Sequence, residues 1–323
     1  MVTRTMNEKI KEILEALNQV IRGKDAVIER ILMAILAEGN ILLEDVPGVG
    51  KTTLALAFSR VMGLPYQRIQ FTPDIMPSDI TGFTMYDRQS GTFRFQEGPV
   101  LQCSLLLADE INRTASRTQA ALLEVMEEKQ VTVDGISYKV QKPFLVIATQ
   151  NPAGTAGTQL LPQAQLDRFL VRLSIGQPSL EMLVEILKDR QRENPLERMK
   201  QVLTREEVLA MQEAVRGVYT GDEILRYLGR LTEASARHEM LSLGISPRGA
   251  IALHHMAKAC AFVRGRDYVI PEDVRETFAD VCAHRVLVSA KGKIAEKSDW
   301  QILQEILESV PAEETPMRQE FMI

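Results

Sequence analysis

The sequence predicts an α/β fold in which a parallel five-stranded sheet with β-hairpin inserts is followed by a small all-α domain. Three observations support this. Short apolar segments alternate with helical patterns in the first half of the chain, two turn patterns interrupt that alternation, and almost all of the second half has helical periodicity. We expect the boundary near residue 177, with domains over residues 1–177 and 178–323.

Two amphipathic helices are expected before the first strand, the second over about residues 25–38. Five short segments, most of them apolar, are then predicted as strands of a parallel sheet, because helices or inserts separate them. Asp134-Gly135 lies between two alternating segments and predicts a hairpin over 131–138, and a second hairpin is expected over 80–95. The predicted strands cover residues 41–43, 67–71, 104–108, 144–148 and 169–174.

Composition limits the function classes. The net charge of -5 and the lack of a basic run argue against nucleic acid as a partner. No apolar run approaches the roughly 20 residues of a membrane span, and the N-terminus lacks a signal-peptide pattern. The three cysteines, Cys103, Cys260 and Cys282, match no metal or disulfide spacing. We therefore expect a cytoplasmic protein.

The loop after the first predicted strand has the composition of a phosphate-binding loop. Its glycines let backbone N–H groups turn towards phosphate oxygens, Lys51 supplies positive charge for the β- and γ-phosphates, and the Thr52 hydroxyl suits Mg²⁺. The usual pattern begins with glycine, whereas this loop begins with Asp45, whose tolerance of left-handed geometry would preserve the turn. The residues expected to bind nucleotide are Pro47, Gly48, Val49, Gly50, Lys51, Thr52 and Thr53.

Acidic residues follow another predicted strand. Asp109 and Glu110 end the apolar segment 104–108, and the carboxyl ends of parallel strands are where ligands bind in α/β sheets. Asp109 is expected to bind Mg²⁺ together with Thr52, and Glu110 to orient or deprotonate the attacking water. The alternative is a pair of acids that face solvent at the end of a strand.

A polar side chain also follows the strand predicted over 144–148. Asn151 is placed to hydrogen-bond the γ-phosphate or the water. Asn-Pro alone is more often a turn, but the order and spacing behind the phosphate loop and the acids favour a role in the site.

Six segments of the chain resemble the MoxR family of AAA+ ATPases, and the resemblance extends from about residue 8 to about residue 288. It implies an AAA+ P-loop domain with a small helical lid, ATP and Mg²⁺ as ligands, and a ring, usually of six subunits, with ATP at the subunit junctions. The segments are Ile21-Arg22-Gly23, Gly48-Val49-Gly50-Lys51-Thr52, Leu107-Ala108-Asp109-Glu110-Ile111-Asn112-Arg113, Ala148-Thr149-Gln150-Asn151-Pro152, Leu161-Pro162 with Ala164-Gln165-Leu166-Asp167-Arg168-Phe169, and Ser246-Pro247-Arg248.

The resemblance also assigns roles to two arginines. Arg168 resembles the arginine finger that reaches the γ-phosphate of the neighbouring subunit, where its charge stabilises the transferred phosphoryl group. The alternative is a surface ion pair with Asp167. Arg248 resembles the second sensor of the lid. Its place in the first turn of a predicted helix is one where the helix dipole disfavours a cation, which is typical of functional sites, although a solvated surface arginine stays open.

The same resemblance places Ile21 and Gly23 at the adenine base. It implies that the two hairpins line the pore or one face of the ring. Phe83, Met85 and Tyr86 are then candidates for contact with a partner, or else they pack the base of their hairpin.

The sequence is compatible with three functions. The first is a MoxR-type chaperone that couples ATP binding and hydrolysis to remodelling or maturation of a partner protein complex, acting with a separate protein that carries a von Willebrand A domain. The second is a magnesium-chelatase-like motor subunit or a nucleic-acid-remodelling AAA+ ATPase. The third is a nucleotide switch without hydrolysis, which the presence of Lys51, Glu110 and Asn151 disfavours.

Overall fold

The computed structural model describes residues 2–152, 161–191 and 194–312. These residues form two compact units, Met1–Glu213 and Ala214–Ile323, which are described separately below. The strands are β1 (Ile41–Glu44), β2 (Tyr66–Gln70), β3 (Gly82–Asp87), β4 (Thr92–Glu97), β5 (Leu105–Asp109), β6 (Gln130–Val133), β7 (Ile136–Lys139), β8 (Leu145–Gln150), β9 (Val171–Leu173), β10 (Leu241–Leu243) and β11 (Leu287–Val288).

The helices follow the predicted periodicity. Two short 3-10 turns, Pro99–Leu101 and Ile111–Arg113, flank β5. The α-helices are α1 (Val2–Val20), α2 (Asp25–Leu36), α3 (Lys51–Val61), α4 (Pro77–Thr81), α5 (Ser116–Glu128), α6 (Gln163–Leu166), α7 (Leu180–Arg190), α8 (Pro195–Arg198), α9 (Arg205–Arg216), α10 (Asp222–Arg237), α11 (Pro247–Val263), α12 (Pro271–Cys282), α13 (Ala290–Ile294) and α14 (Asp299–Ser309).

A parallel sheet in the order β2-β5-β8-β1-β9 forms the centre of the first unit. Its central strands are apolar and buried because helices cover both faces of a parallel sheet. The register aligns Gln70 with Asp109 and Glu44 with Gln150, so the carboxyl ends of the strands meet at one edge. The predicted α/β fold is confirmed.

Both predicted hairpins are present. β3 pairs with β4, and β6 pairs with β7 through Asp134 (φ 51°) and Gly135 (φ 78°), the two positive φ angles that a tight hairpin turn requires. Phe95 of the first hairpin stacks on Tyr138 of the second, with ring centroids 4.1 Å apart. This stack packs both hairpins against the buried core of the unit.

The boundary between the units lies within α9 and therefore differs from the one expected at residue 177. The segment after β9 belongs to the first unit because it bonds to it repeatedly. The N–H groups of Val202 and Leu203 donate to the carbonyl of Val61 at 2.8 and 3.0 Å, and the side chain of Gln212 donates to the carbonyl of Ile35 at 2.8 Å.

The second unit is mainly helical, as predicted. Helices begin at Pro247 and Pro271, and Ser298 forms a capping box with Gln301 ahead of α14. A short antiparallel pair, β10 with β11, was not predicted, since strands of two or three residues leave no periodic pattern. Within the described residues, no helix is both long enough and apolar enough to cross a membrane.

Candidate functional site

The phosphate-binding loop connects β1 to α3 at the carboxyl edge of the sheet. Gly48 (φ 89°) and Gly50 (φ 96°) have left-handed backbones, and a Cβ built on either one would meet no atom within 4 Å. The first bond of α3 runs from the N–H of Leu54 to the carbonyl of Gly50. The N–H groups of the residues before Leu54 therefore have no acceptor within the helix, and they lie at its positive end.

Lys51 is buried and bonded within its own loop. Its Nζ donates to the carbonyl of Asp45 at 2.7 Å. Burial lowers the pKa of Lys51 below its ordinary value, and the negative charges of Asp45, Asp109 and Glu110 oppose that shift. The ammonium group of Lys51 therefore lies next to the cavity in front of the loop, where it can contact a bound phosphate after a small change of side-chain conformation.

Asp109 has a donor on each carboxylate oxygen. The Thr149 hydroxyl donates to Oδ1 at 2.7 Å, and the Arg68 guanidinium donates to Oδ2 at 2.6 Å. Thr149 comes from β8 and Arg68 from β2, the two strands that flank β5 in the sheet. The sheet therefore fixes the orientation of this acid from both sides.

Glu110 lies at a turn immediately after β5 and has a left-handed backbone (φ 57°), an uncommon conformation for a residue with a side chain. This conformation aims its carboxylate at polar neighbours. The Asn151 amide donates to Oε1 at 3.1 Å, the Gln70 amide to Oε2 at 2.8 Å, and the Arg113 guanidinium to Oε2 at 3.0 Å. These three donors fix the orientation of the Glu110 carboxylate.

Asn151 is positioned by Asn112. The side chain of Asn112 donates to the carbonyl of Asn151 at 3.2 Å and accepts from its N–H at 3.4 Å. This reciprocal pair leaves the Asn151 side chain directed at Glu110. The Oδ1 atom of Asn151 is buried and has no hydrogen-bond partner among the described residues, so it is an acceptor available to a water or a ligand next to Glu110.

Two cavities adjoin the phosphate loop, both within the first unit. One, of about 380 Å³, brings together Lys51, Thr52, Asp109, Glu110 and Asn151, whereas Val49 of the predicted loop lines only the other cavity. The other, of about 270 Å³, shares Gly48, Gly50 and Thr53 with the first and is otherwise lined by different residues. The first cavity is lined by Pro47, Gly48, Gly50, Lys51, Thr52, Thr53, Arg68, Gln70, Asp109, Glu110 and Asn151.

The second cavity contains the segment expected to contact adenine. Ile21 lines it, as do Val49 of the phosphate loop and the apolar side chains of Leu183 and Ile186 from α7. Gly23 packs beneath α7: a Cβ added there would lie 2.8 Å from Cγ of Met182. An apolar slot that shares a wall with a phosphate loop has the form of a nucleotide-binding site.

The two arginines lie elsewhere. Arg168 does not line the phosphate cavity of its own subunit, and its Nε is 3.2 Å from a carboxylate oxygen of Glu127, a partner other than the Asp167 considered from the sequence. Arg248 is exposed in the first turn of α11 in the second unit, where Ser246 caps the helix. The roles of both arginines stay predictions.

The sequence analysis gave no role in the site to five side chains that the structure places there: Arg68, Gln70, Asn112, Arg113 and Thr149. Two of them left a detectable pattern, because Arg68 and Gln70 are polar residues two apart in a segment predicted as a strand, and so share one side of it. Asn112, Arg113 and Thr149 lie within segments that carry the family resemblance, but no local pattern shows which groups they contact.

The site suits ATP and Mg²⁺. The two glycines leave the loop amides open to phosphate oxygens, and the Thr52 hydroxyl and the Asp109 carboxylate are oxygen ligands of the kind Mg²⁺ prefers. The described residues contain no group of three or more His, Cys, Asp or Glu side chains arranged to hold a metal. Mg²⁺ bound through few protein ligands, with phosphates supplying others, is compatible with that arrangement.

Comparison with known proteins agrees with this geometry. The family model described as "ATPase family associated with various cellular activities (AAA)" matches residues 40–171, and the model for the AAA lid domain matches residues 233–306. A crystal structure of a Cytophaga hutchinsonii protein assigned as an ATPase is 35% identical and superposes with a TM-score of 0.88 over 97% of each chain.

Three curated relatives cover most of the chain. The uncharacterized protein YeaC of Bacillus subtilis is 41% identical over 297 residues, 92% of each chain. Chaperone MoxR1 of Mycobacterium tuberculosis is 39% identical over 301 residues, 90% of this chain and 79% of that protein. Protein MoxR of Methylorubrum extorquens is 31% identical over 317 residues, 90% of this chain and 91% of that protein.

The sheet order, the phosphate loop and the acids at the edge of β5 define the nucleotide-binding domain of an AAA+ ATPase. Within that class, sequence identity over nine-tenths of the chain decides the assignment. The chain belongs to the MoxR family of AAA+ ATPases.

Proposed function

We propose that this protein hydrolyses ATP to ADP and phosphate with Mg²⁺ as cofactor. The observation that carries the proposal is that Lys51, Thr52, Asp109, Glu110 and Asn151 line one cavity in front of the phosphate loop. In-line hydrolysis requires a cation for the phosphates, ligands for the metal and an oriented base for the water. These five side chains supply those groups.

The residues act in distinct ways in the proposed reaction. The loop amides and Lys51 bind the β- and γ-phosphates, and Thr52 and Asp109 hold the metal. Mg²⁺, when bound, neutralises charge on the phosphate oxygens. Glu110 accepts a proton from the attacking water, while the free Oδ1 of Asn151 orients that water.

A ring, most simply a hexamer, supplies the remaining group. We assign Arg168 as the finger that reaches the ATP of the neighbouring subunit. Its ion pair with Glu127 supports this assignment because both side chains are partly exposed, at 30% and 38%, so that the pair is weak and readily exchanged. Arg248 of the lid domain is assigned as the second sensor, on the basis of the family pattern.

The work performed with ATP is the remodelling or maturation of a partner protein complex, in cooperation with a separate von Willebrand A domain protein. A relative named a chaperone supports this class of activity. The first hairpin supports it too, because Phe83, Met85 and Tyr86 are 46%, 50% and 53% exposed, which leaves about half of each side chain open to contact with a partner. Three buried free thiols fit a reducing, cytoplasmic location.

The first test separates hydrolysis from simple binding. Glu110→Gln keeps the size and most hydrogen bonds of the side chain but removes the base, so ATP turnover is expected to fall at least about 100-fold. ATP affinity, measured by isothermal titration calorimetry, should remain within about threefold of wild type. Turnover in the variant equal to that of wild type would remove Glu110 from the role of base.

The second test concerns the ring. Specific ATPase activity is measured against protein concentration for wild type, Arg168→Ala and the control Arg172→Ala, which removes a nearby arginine paired with Glu44. We expect wild-type activity to rise with concentration, and Arg168→Ala to lose turnover while binding ATP. A flat concentration dependence together with an unaffected Arg168→Ala variant would refute shared active sites and favour a nucleotide switch.

A further inference from the structure

Asp45 occupies the position where the usual phosphate-loop pattern has glycine. Its backbone is not left-handed, so it does not act as a substitute for glycine in a strained turn. It continues the carboxyl end of β1, and its N–H donates to the carbonyl of Gln150 at 3.3 Å. The backbone at Asp45 therefore has no special requirement, and what distinguishes this position is the carboxylate.

The carboxylate of Asp45 accepts three hydrogen bonds from the segment that follows β9. The Ser174 hydroxyl donates to Oδ1 at 2.7 Å, the N–H of Gly176 to Oδ1 at 3.0 Å, and the N–H of Ile175 to Oδ2 at 2.6 Å. Asp45 is only 6% exposed, so these donors replace the water that a buried carboxylate has lost. Asp45 thus fixes three consecutive residues that are about 130 positions away in the chain.

The anchored segment forms part of the cavity proposed for the base. Ile175 and Pro178 line that cavity, and the chain continues directly into α7, which contributes Leu183 and Ile186. A second tie holds the same segment, since Lys24 donates from Nζ to the carbonyl of Gln177 at 2.9 Å. One wall of the base cavity is therefore attached to the phosphate loop through Asp45.

Asp45 also contacts the phosphate side of the site, but by a different atom. Its backbone carbonyl accepts from Nζ of Lys51 at 2.7 Å. A change of side chain removes the three bonds to residues 174–176 and leaves this carbonyl in place. The negative charge of the Asp45 carboxylate also acts on Lys51, so Ser174→Ala, which removes one bond and keeps that charge, separates the two contacts most cleanly.

We propose that Asp45 is a positioning residue. It fixes the segment 174–178, which lines the base cavity, relative to the phosphate loop, so that the base and the phosphates of one nucleotide bind at the same time. The inference rests on the proposed nucleotide site. It states that the aspartate contributes to affinity for the nucleoside part of the ligand and little to affinity for the phosphates. Inorganic tripolyphosphate, which lacks the nucleoside, distinguishes the two contributions.

The test is isothermal titration calorimetry of the full chain with ADP and with inorganic tripolyphosphate. For Asp45→Asn we expect the Kd for ADP to rise about tenfold, because two or three charge-assisted hydrogen bonds are weakened or lost. The Kd for tripolyphosphate should not rise, because the carbonyl that accepts from Lys51 stays in place and only a negative charge near that lysine is lost. Glu44→Gln is the matched control, since Glu44 is the neighbouring acid and pairs with Arg172 instead of the anchored segment; neither Kd should change.

Ser174→Ala is a milder second variant, which removes one donor and keeps the buried charge. It should weaken ADP about threefold and leave tripolyphosphate unchanged, so it carries the test if Asp45→Asn does not fold. Equal loss of affinity for both ligands would mean that Asp45 supports only the phosphate loop, and unchanged affinity for ADP would mean that the anchor has no role; either result overturns the inference. Failure of wild type to bind ADP would overturn the nucleotide site as well.

Discussion

Replacement of Arg68 by methionine is expected to tighten the binding of a divalent cation at the nucleotide site. The Arg68 guanidinium donates to Oδ2 of Asp109, the carboxylate proposed to hold Mg²⁺, and the other oxygen accepts from Thr149. Because each oxygen of Asp109 already accepts a hydrogen bond, a metal ion that binds Asp109 has to displace one of the two donors, and the more exposed donor is easier to displace. That donor is Arg68, because Thr149 is fully buried.

The expected gain in metal affinity can be calculated from how exposed the Arg68–Asp109 ion pair is. The side chain of Arg68 is 45% exposed and that of Asp109 is 11% exposed. Exposed ion pairs contribute about 0.2–1 kcal/mol, and hydrogen bonds to charged groups about 1.5–3 kcal/mol. Because nearly half of the arginine stays in water, we take about 1 kcal/mol as the cost of displacing it. At about 1.4 kcal/mol per factor of ten, removal of the arginine should tighten metal binding about fivefold.

The assay is titration of Mn²⁺ into the ADP complex, with free Mn²⁺ followed by electron paramagnetic resonance and Mg²⁺ used in competition. The control is Arg94→Met, which removes an arginine paired with Asp87 on the first hairpin, away from the site. We expect the half-saturating Mn²⁺ concentration to fall about fivefold for Arg68→Met and to stay constant for Arg94→Met. An unchanged Mn²⁺ affinity for Arg68→Met would refute competition between Arg68 and the metal for Asp109. A weaker Mn²⁺ affinity would refute it too, and would indicate that Arg68 binds the phosphates.

Other predictions concern stability and pH. Gly39→Ala would place a Cβ 2.1 Å from Cδ2 of Leu170 and should lower the free energy of unfolding by about 1–3 kcal/mol, whereas Gly229→Ala, on an open helix surface, should raise it by about 0.5–1 kcal/mol; urea unfolding measures both. Equal effects of the two variants would contradict the steric argument. Burial lowers the pKa of Lys129 to about 8. The folded state therefore loses this proton before the unfolded state does, and wild type should gain about 1–3 kcal/mol relative to Lys129→Met as pH rises from about 8 to about 10.5. A constant difference between these two proteins across that range would show that Lys129 does not titrate in the fold.

The strands and the phosphate loop could be predicted because their causes are local. A buried parallel strand must be apolar over its whole length, as residues 105–108 are, and a loop that wraps a phosphate needs glycine where φ is positive, as at Gly48 and Gly50. Asp134-Gly135 predicted its hairpin for the same reason. In each case a few neighbouring residues carry the whole physical requirement.

The hydrogen-bond partners of the proposed catalytic residues could not be predicted in this way. Gln70 meets Glu110 because β2 pairs with β5 in a register that aligns Gln70 with Asp109, and a slip of one residue would turn the side chain to the other face. The ion pair of Arg168 with Glu127, on a helix distant in sequence, was likewise not predicted. Such contacts depend on tertiary register, which a single sequence does not display.

The order of the strands explains how one sheet edge can serve the two ends of a nucleotide. β5 lies between β2 and β8, so the acids of β5 are flanked by Arg68 and Gln70 on one side and by Thr149 and Asn151 on the other. β1 lies between β8 and β9, so Asp45 faces the segment that leads to the base cavity. The phosphate loop leaves β1 between these two groups of contacts. Substitutions on β2 should therefore alter metal binding and hydrolysis at constant affinity for the nucleoside, whereas substitutions at Asp45 or Ser174 should alter affinity for the nucleoside first. A variant of Arg68 that changed only nucleoside affinity would contradict this division.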